Sequence, residues 1–144
     1  MNYEMRGVSV EELNYKINHV QIAPNQRLDV KPQFARQVRK VNEDKKIIII
    51  SLSVKIESTE AEPKPFNLNV SVVGVCALEK DDYTADEERN FVIDATRQIY
   101  PYLRSAVTNL TAQAYVMPLV LPVINGPMFP DDRDVYTFTP GSVS

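Results

Sequence analysis

RQIYPYLRSAVTNLTAQAYVMPLVLPVINGPMF, residues 97–129, decides the fold of this chain, because it passes from a helix pattern into a proline-broken apolar run with little polar between. In the first half Ile99, Tyr102, Leu103, Ala106, Val107, Leu110 and Ala114 recur at the three-and-four spacing of one helical face, with Arg104, Ser105, Thr108, Asn109 and Thr111 mostly off it. From Met117 onward Pro118, Pro122 and Pro127 forbid a helix interior, yet Leu119, Val120, Leu121, Val123, Ile124, Met128 and Phe129 are as apolar as a core. Such a loop is either tucked under the body or offered to a partner.

Upstream of the helix, Thr84 and Glu87 stand at capping-box spacing, and Asp86, Glu87 and Glu88 complement the helix dipole, so the helix is predicted to start at Ala85 and to end near Val116. Pro101 falls inside it, where a missing N–H and ring crowding predict a kink. Everything before is strand-like. Phe66, Leu68, Val70, Val72, Gly74, Cys76 and Leu78 alternate cleanly, and residues 47–56 are dense in β-branched side chains. Ile47, Ile49, Val73 and Val75 make the second face of those strands partly apolar too, more than one helix covers, which predicts self-association.

Further upstream the signals weaken. Phe34 and Val38 fall on even positions, and Pro32 limits any strand there to an edge. Leu13, Tyr15 and Ile17 alternate, whereas Val20 and Ile22 resume in the opposite phase, which predicts a bulge near Asn18 or His19 and leaves residues 1–7 as a loose start. The sequence therefore predicts an α+β chain, a four-stranded antiparallel sheet followed by one long helix and an apolar, proline-rich loop. It reads as a single domain over residues 1–144, with a core of about 8–129 and an extended tail over 130–144.

Composition excludes more than it assigns. A formal charge of −3 on 144 residues argues against a nucleic-acid partner, and the longest apolar run is too short and too proline-rich to insert in a membrane. One His and one Cys rule out a His/Cys metal cluster, and a Cys-His nucleophile would require His19 and Cys76 to meet; Cys76 on an alternating face reads as a small core residue. With only four ungrouped glycines there is no phosphate loop. The acidic group Asp81, Asp82, Asp86, Glu87 and Glu88 reads as a solvated helix start. No enzyme chemistry and no cofactor are predicted. A single cysteine and an N-terminus without a basic, apolar leader predict a cytoplasmic protein. Tyr100, Tyr102 and Tyr115, with Met117 and Phe129, leave core packing and a binding pocket both open.

The segment Ile99, Tyr100, Pro101, Tyr102, Leu103, Arg104, the proline-bearing loop after it, and Ala23, Pro24, Asn25 after the first strand resemble the SecB export chaperones, and the order of elements agrees from roughly residue 10 to 129. Past Phe129 the chain departs, running into PDDRDVYTFTPGSVS where the family commonly has a second helix and a polar tail. The resemblance implies an ATP-independent chaperone that holds unfolded polypeptides or preproteins for export. It implies a groove with Leu119, Val120, Leu121, Val123, Ile124, Met128 and Phe129 on one wall and Phe34 and Val38 on the other. It implies a dimer of dimers in which the long helices lie between sheets, with Tyr102, Ala106 and Leu110 at the oligomer interface. The SecA motor is the implied partner. A SecB-like chaperone dedicated to one partner, such as an antitoxin, is the alternative, and a non-catalytic ligand-binding domain using the same pocket is a third reading.

Overall fold

The computed structural model of the chain describes residues 2–19, 30–41, 44–114, 118–123 and 128–129. Its elements are β1 (Tyr3–Ile17), β2 (Gln33–Val41), β3 (Asp44–Ile56), β4 (Phe66–Leu78) and α1 (Ala85–Gln113). All neighbouring strands are antiparallel, in the order β1-β4-β3-β2, so that β3 and β4 are central and β1 and β2 form the edges. The expected α+β arrangement is the observed one. Pro32 stands just outside β2, where its missing N–H interrupts no ladder.

β1 corrects the expected loose start. The strand begins at Tyr3, and its register slips between Met5 and Gly7 and again between Val10 and Glu12, not near Asn18 or His19. Each slip absorbs one residue, Arg6 or Glu11, and resets the alternation. As a result Tyr3, Met5, Val8, Val10, Leu13, Tyr15 and Ile17 pair with Leu78, Cys76, Gly74, Val72, Val70, Leu68 and Phe66, and all seven turn to one face. Without the two bulges Val8 and Val10 would point the other way from the rest. Asn18 ends the strand, its N–H donating to the Pro65 carbonyl at 2.8 Å and its amide to Asn67 Oδ1 at 2.8 Å.

The even residues of β3 and β4 form the floor of the core, from Ile48 to Ile56 and from Leu68 to Leu78. α1 lies on that floor. It starts at Ala85 as expected: Thr84 Oγ1 accepts from the Glu87 N–H, and the Glu87 carboxylate accepts from the Thr84 N–H, both at 3.2 Å. The backbone N–H of Thr84, together with its hydroxyl, holds the Glu87 carboxyl below the usual carboxylate range. The helix continues through an exposed Pro101. It packs tightly on the sheet at Gly74, where a Cβ would stand 2.6 Å from Ile99 Cδ1.

The single apolar helix face predicted from spacing divides in two. Ile99, Leu103 and Val107 are fully buried, joined by Phe91, Val92, Ala95, Tyr100 and Thr111. Tyr102 is 56% exposed, and Ala106 and Leu110 only flank the core. The neighbouring β1 residues Val10, Leu13 and Ile17 are exposed as well, each by about half.

Candidate functional site

The proline-rich loop returns along α1 in the opposite direction and is tied to it at four rungs. The Leu119 N–H donates to Thr111 Oγ1 at 2.8 Å, and Thr108 Oγ1 donates to the Leu119 carbonyl at 2.9 Å. Arg104 Nε donates to the Leu121 carbonyl at 2.8 Å, and the Tyr100 hydroxyl to the Pro122 carbonyl at 2.5 Å. Positions 100, 104, 108 and 111 follow one another up a helix face, so the chain beside them is held extended. Pro118 and Pro122 have no N–H of their own, and an irregular segment laid on a core must find donors for its carbonyls elsewhere. The helix side chains supply them. Burial pushes the Tyr100 phenol up, partly offset by the Arg104 cation.

Extended backbone alternates its side chains, and from Pro118 to Pro122 the alternation sorts the loop, while Val123 comes after the last rung and breaks phase. Leu121 is 1% exposed and belongs to the core, and Leu119 packs against it. Val120 and Val123 are 56% and 62% exposed. Met128 and Phe129 are half-buried against the same cluster. The expected loop wall is therefore split. Leu121, which the resemblance places on the groove wall, is buried, while Val120 and Val123 face water. Ile124 lies outside the described residues, as do Tyr115, Met117, the segment after β1 and the tail.

The second wall is the face of β2 that carries Phe34, Arg36 and Val38. The Phe34 ring meets the Tyr100 ring edge-on, centroids 6.2 Å apart. The Arg36 guanidinium, only 6% exposed, lies over the Phe129 ring at 4.5 Å and donates to Thr96 Oγ1 at 3.2 Å. Arg36 thus fixes Phe129 to the β2 side, and Tyr100 joins Phe34 to the strapped loop. Phe34 and Phe129 thus meet the middle of α1, at Tyr100 and, through Arg36, at Thr96, and Leu119 and Leu121 follow toward its C-terminal turns, whereas Val38 lies farther along β2, beside Phe91 and Val92.

The residues that build this site and were passed over in the sequence are Arg36, Tyr100 as a donor, Arg104, Thr108 and Thr111. Thr111 is fully buried although its spacing reads as solvent-facing. A signal was present: a polar helix row followed by a segment that is rich in apolar side chains and poor in backbone donors. Arg36 carries no such signal, since its partners Thr96 and Phe129 are far away in sequence, the nearer by 60 residues.

His19 and Cys76 sit at opposite ends of the sheet, for Cys76 pairs with Met5 while His19 follows the Ile17–Phe66 end. Burial pushes the Cys76 thiol up to about 11, the opposite of an activated nucleophile. Among the described residues no three His, Cys, Asp or Glu side chains stand close enough to hold a metal ion, and no helix is long and apolar enough to cross a membrane.

The model of the SecB family, preprotein translocase subunit SecB, matches residues 3–129. The chain is 27% identical over 123 residues to the protein-export protein SecB of Anaplasma phagocytophilum, which covers 84% of this chain and 72% of that one. It is 28% identical over 121 residues to an uncharacterised protein of Methanocaldococcus jannaschii, covering 78% of this chain and 76% of the other. Among solved structures, a Mycobacterium tuberculosis SecB-like chaperone in complex with a ChAD peptide from the HigA1 antitoxin superposes with a TM-score of 0.71. The match covers 88% of this chain and 93% of that one, at 19% identity, and so speaks to the fold.

Proposed function

The chain belongs to the SecB family, and from that premise we propose that it is an ATP-independent holdase that binds unfolded polypeptide in the groove between β2 and the strapped loop. The carrying observation is the pair Val120 and Val123, more than half exposed on a segment whose backbone is fastened to α1 at four rungs. A side chain of that size gains about 1.5–3 kcal/mol on burial, and a segment already held extended loses little entropy when something covers it. Phe34, Phe129 and Met128 continue the apolar surface toward β2.

The energetics favour weak single sites. Five buried client side chains gain about 8–15 kcal/mol, and ordering the client backbone at about 1–2 kcal/mol per residue removes much of that. Tight holding then requires several grooves on one assembly. We place the contacts between copies of the chain at the unmatched face of α1, Tyr102, Ala106 and Leu110, together with Val10, Leu13 and Ile17 of β1, in a dimer of dimers. The cytoplasm is the compartment in which such a chaperone meets preproteins before export, and SecA is the partner to which it would pass them.

A dedicated partner is the second reading. It is favoured by the likeness to the antitoxin-bound chaperone, whose fold this chain shares over most of its length. One experiment tests both: suppression of aggregation of chemically denatured test proteins, without nucleotide, at increasing ratios of chaperone to client. General holding predicts suppression of several unrelated clients. Suppression of none at large excess contradicts the holdase, and protection of a single antitoxin alone selects the dedicated form.

A further inference from the structure

β2 is the edge of the sheet opposite β1: it pairs with β3 on one side, and no described residue pairs with it on the other. Every second residue of such a strand turns its N–H and carbonyl outward, and folded chains guard that row with bulges, prolines or charges. β1 has two bulges, with the exposed charges Arg6 and Glu11 at them. In β2 the devices sit at the ends, Pro32 just before the strand and one register slip between Lys40 and Val41, and the ladder between is regular. Of the strand's charged side chains, Arg36 and Lys40 are engaged with Thr96 and Glu88, whereas Arg39 is exposed and paired with no described residue.

The chain's own tail starts beside this edge. Phe129 is seated on Arg36, so the sequence after it departs from the β2 side of the body. That sequence is PDDRD, then VYTFT over 135–139, then a Pro-Gly pair. Val, Tyr, Thr and Phe are the residues that fit a pleated strand, and five of them in a row between an acidic stretch and Pro-Gly carry the signature of one.

We propose that residues 135–139 lie along the outer edge of β2 as a fifth strand, a tethered occupant that an extended client must displace; the displacement, though not the strand, rests on the holdase reading above. The reach is sufficient. At about 3.3 Å per residue the chain from Phe129 to Val135 spans up to about 20 Å, and Val41, the far end of β2 from Arg36, is about 17 Å away. Asp131, Asp132 and Asp134 bring acids past Arg39, and an exposed pair of that kind adds little strength, so its part is to set the direction of the tail. The strand itself is held by main-chain hydrogen bonds to the open edge. A short tether keeps the segment at an effective concentration on the order of millimolar, so even a weakly pairing run of this length competes with a free chain.

Amide hydrogen exchange of the whole chain without client tests the strand. Residues 135–139 and the outward amides of β2 are expected to exchange about tenfold or more slowly than unstructured peptide. Thr137→Pro, which removes an N–H from the middle of the run, is expected to release both together while the amides of β3 and β4 stay protected. Exchange of residues 135–139 at the unstructured rate overturns the proposal, and so does protection of the β2 edge without them, which assigns the edge to a second copy. Binding of reduced, carboxymethylated lactalbumin, a chain that stays unfolded, tests the displacement in the same two proteins. Thr137→Pro is expected to bind it about tenfold more tightly. Equal affinity overturns the displacement, and no binding by either protein overturns the holdase reading while a protected strand stands.

Discussion

Leu121 and Val123 lie two residues apart on one loop, and one is 1% exposed while the other is 62% exposed. Both are aliphatic and both flank Pro122. Leu121 lies within the fastened stretch, its own carbonyl held by Arg104, whereas Val123 follows the last rung at the Pro122 carbonyl and no longer keeps the inward phase that Leu119 and Leu121 share. Apolar character alone thus does not distinguish a support from a binding surface. The distinction depends on which carbonyls the helix holds, and it can be broken from either side.

The largest effect is expected on the inner side. Leu121→Ala leaves a void where the side chain filled the core and should cost about 2–5 kcal/mol in a urea titration, freeing the loop with it. A cost near zero would mean that Leu121 is not packed and that the two sides of the loop are equivalent.

A smaller effect is expected from the rungs. Thr108→Val keeps the shape and removes the donor to the Leu119 carbonyl, for an expected loss of about 1 kcal/mol. Leu121→Ala and Thr108→Val should be non-additive, since both act through the same strap. Simple additivity would show that the rung and the packing are independent.

The smallest change with conditions concerns pH. The Tyr100 phenol and the Cys76 thiol are both raised in the fold, the thiol to about 11. A raised folded value means that the stabilisation is complete below the unfolded value, about 8.5 for a thiol and 10 for a phenol, and is lost as pH rises through the folded one. Stability should accordingly stay level from neutral pH to about 8.5 and fall above it, with Tyr100→Phe removing the phenol's share of that fall. An equal alkaline loss in Tyr100→Phe would indicate that the rung at Pro122 does not titrate with the fold.

The parts legible in the sequence are those whose pattern is local. The alternation of β4, the Thr84–Glu87 capping box and the start of α1 at Ala85 need no partner to be read, and the structure agrees with each. β1 was misread because a bulge is defined by the strand opposite: only the pairing with β4 shows that Arg6 and Glu11 are the extra residues. The helix was read as having one broad apolar face because spacing does not say which flank the sheet covers, and Tyr102 proved exposed while Thr111 is buried. Within the site, the loop was identifiable by its prolines and aliphatic residues, but its inward and outward sides were not, since they follow from hydrogen bonds to Tyr100, Arg104, Thr108 and Thr111.

The central claim is that the outward side of the strapped loop is a binding surface and the inward side its support, and the double variant Val120→Asp, Val123→Asp tests it most directly. Both positions are exposed, so stability by urea titration should stay within about 0.5 kcal/mol of the parent. Suppression of aggregation of a denatured client, measured by light scattering in the same preparation, should be lost. A variant that remains folded and still holds unfolded chains as well as the parent would contradict the account.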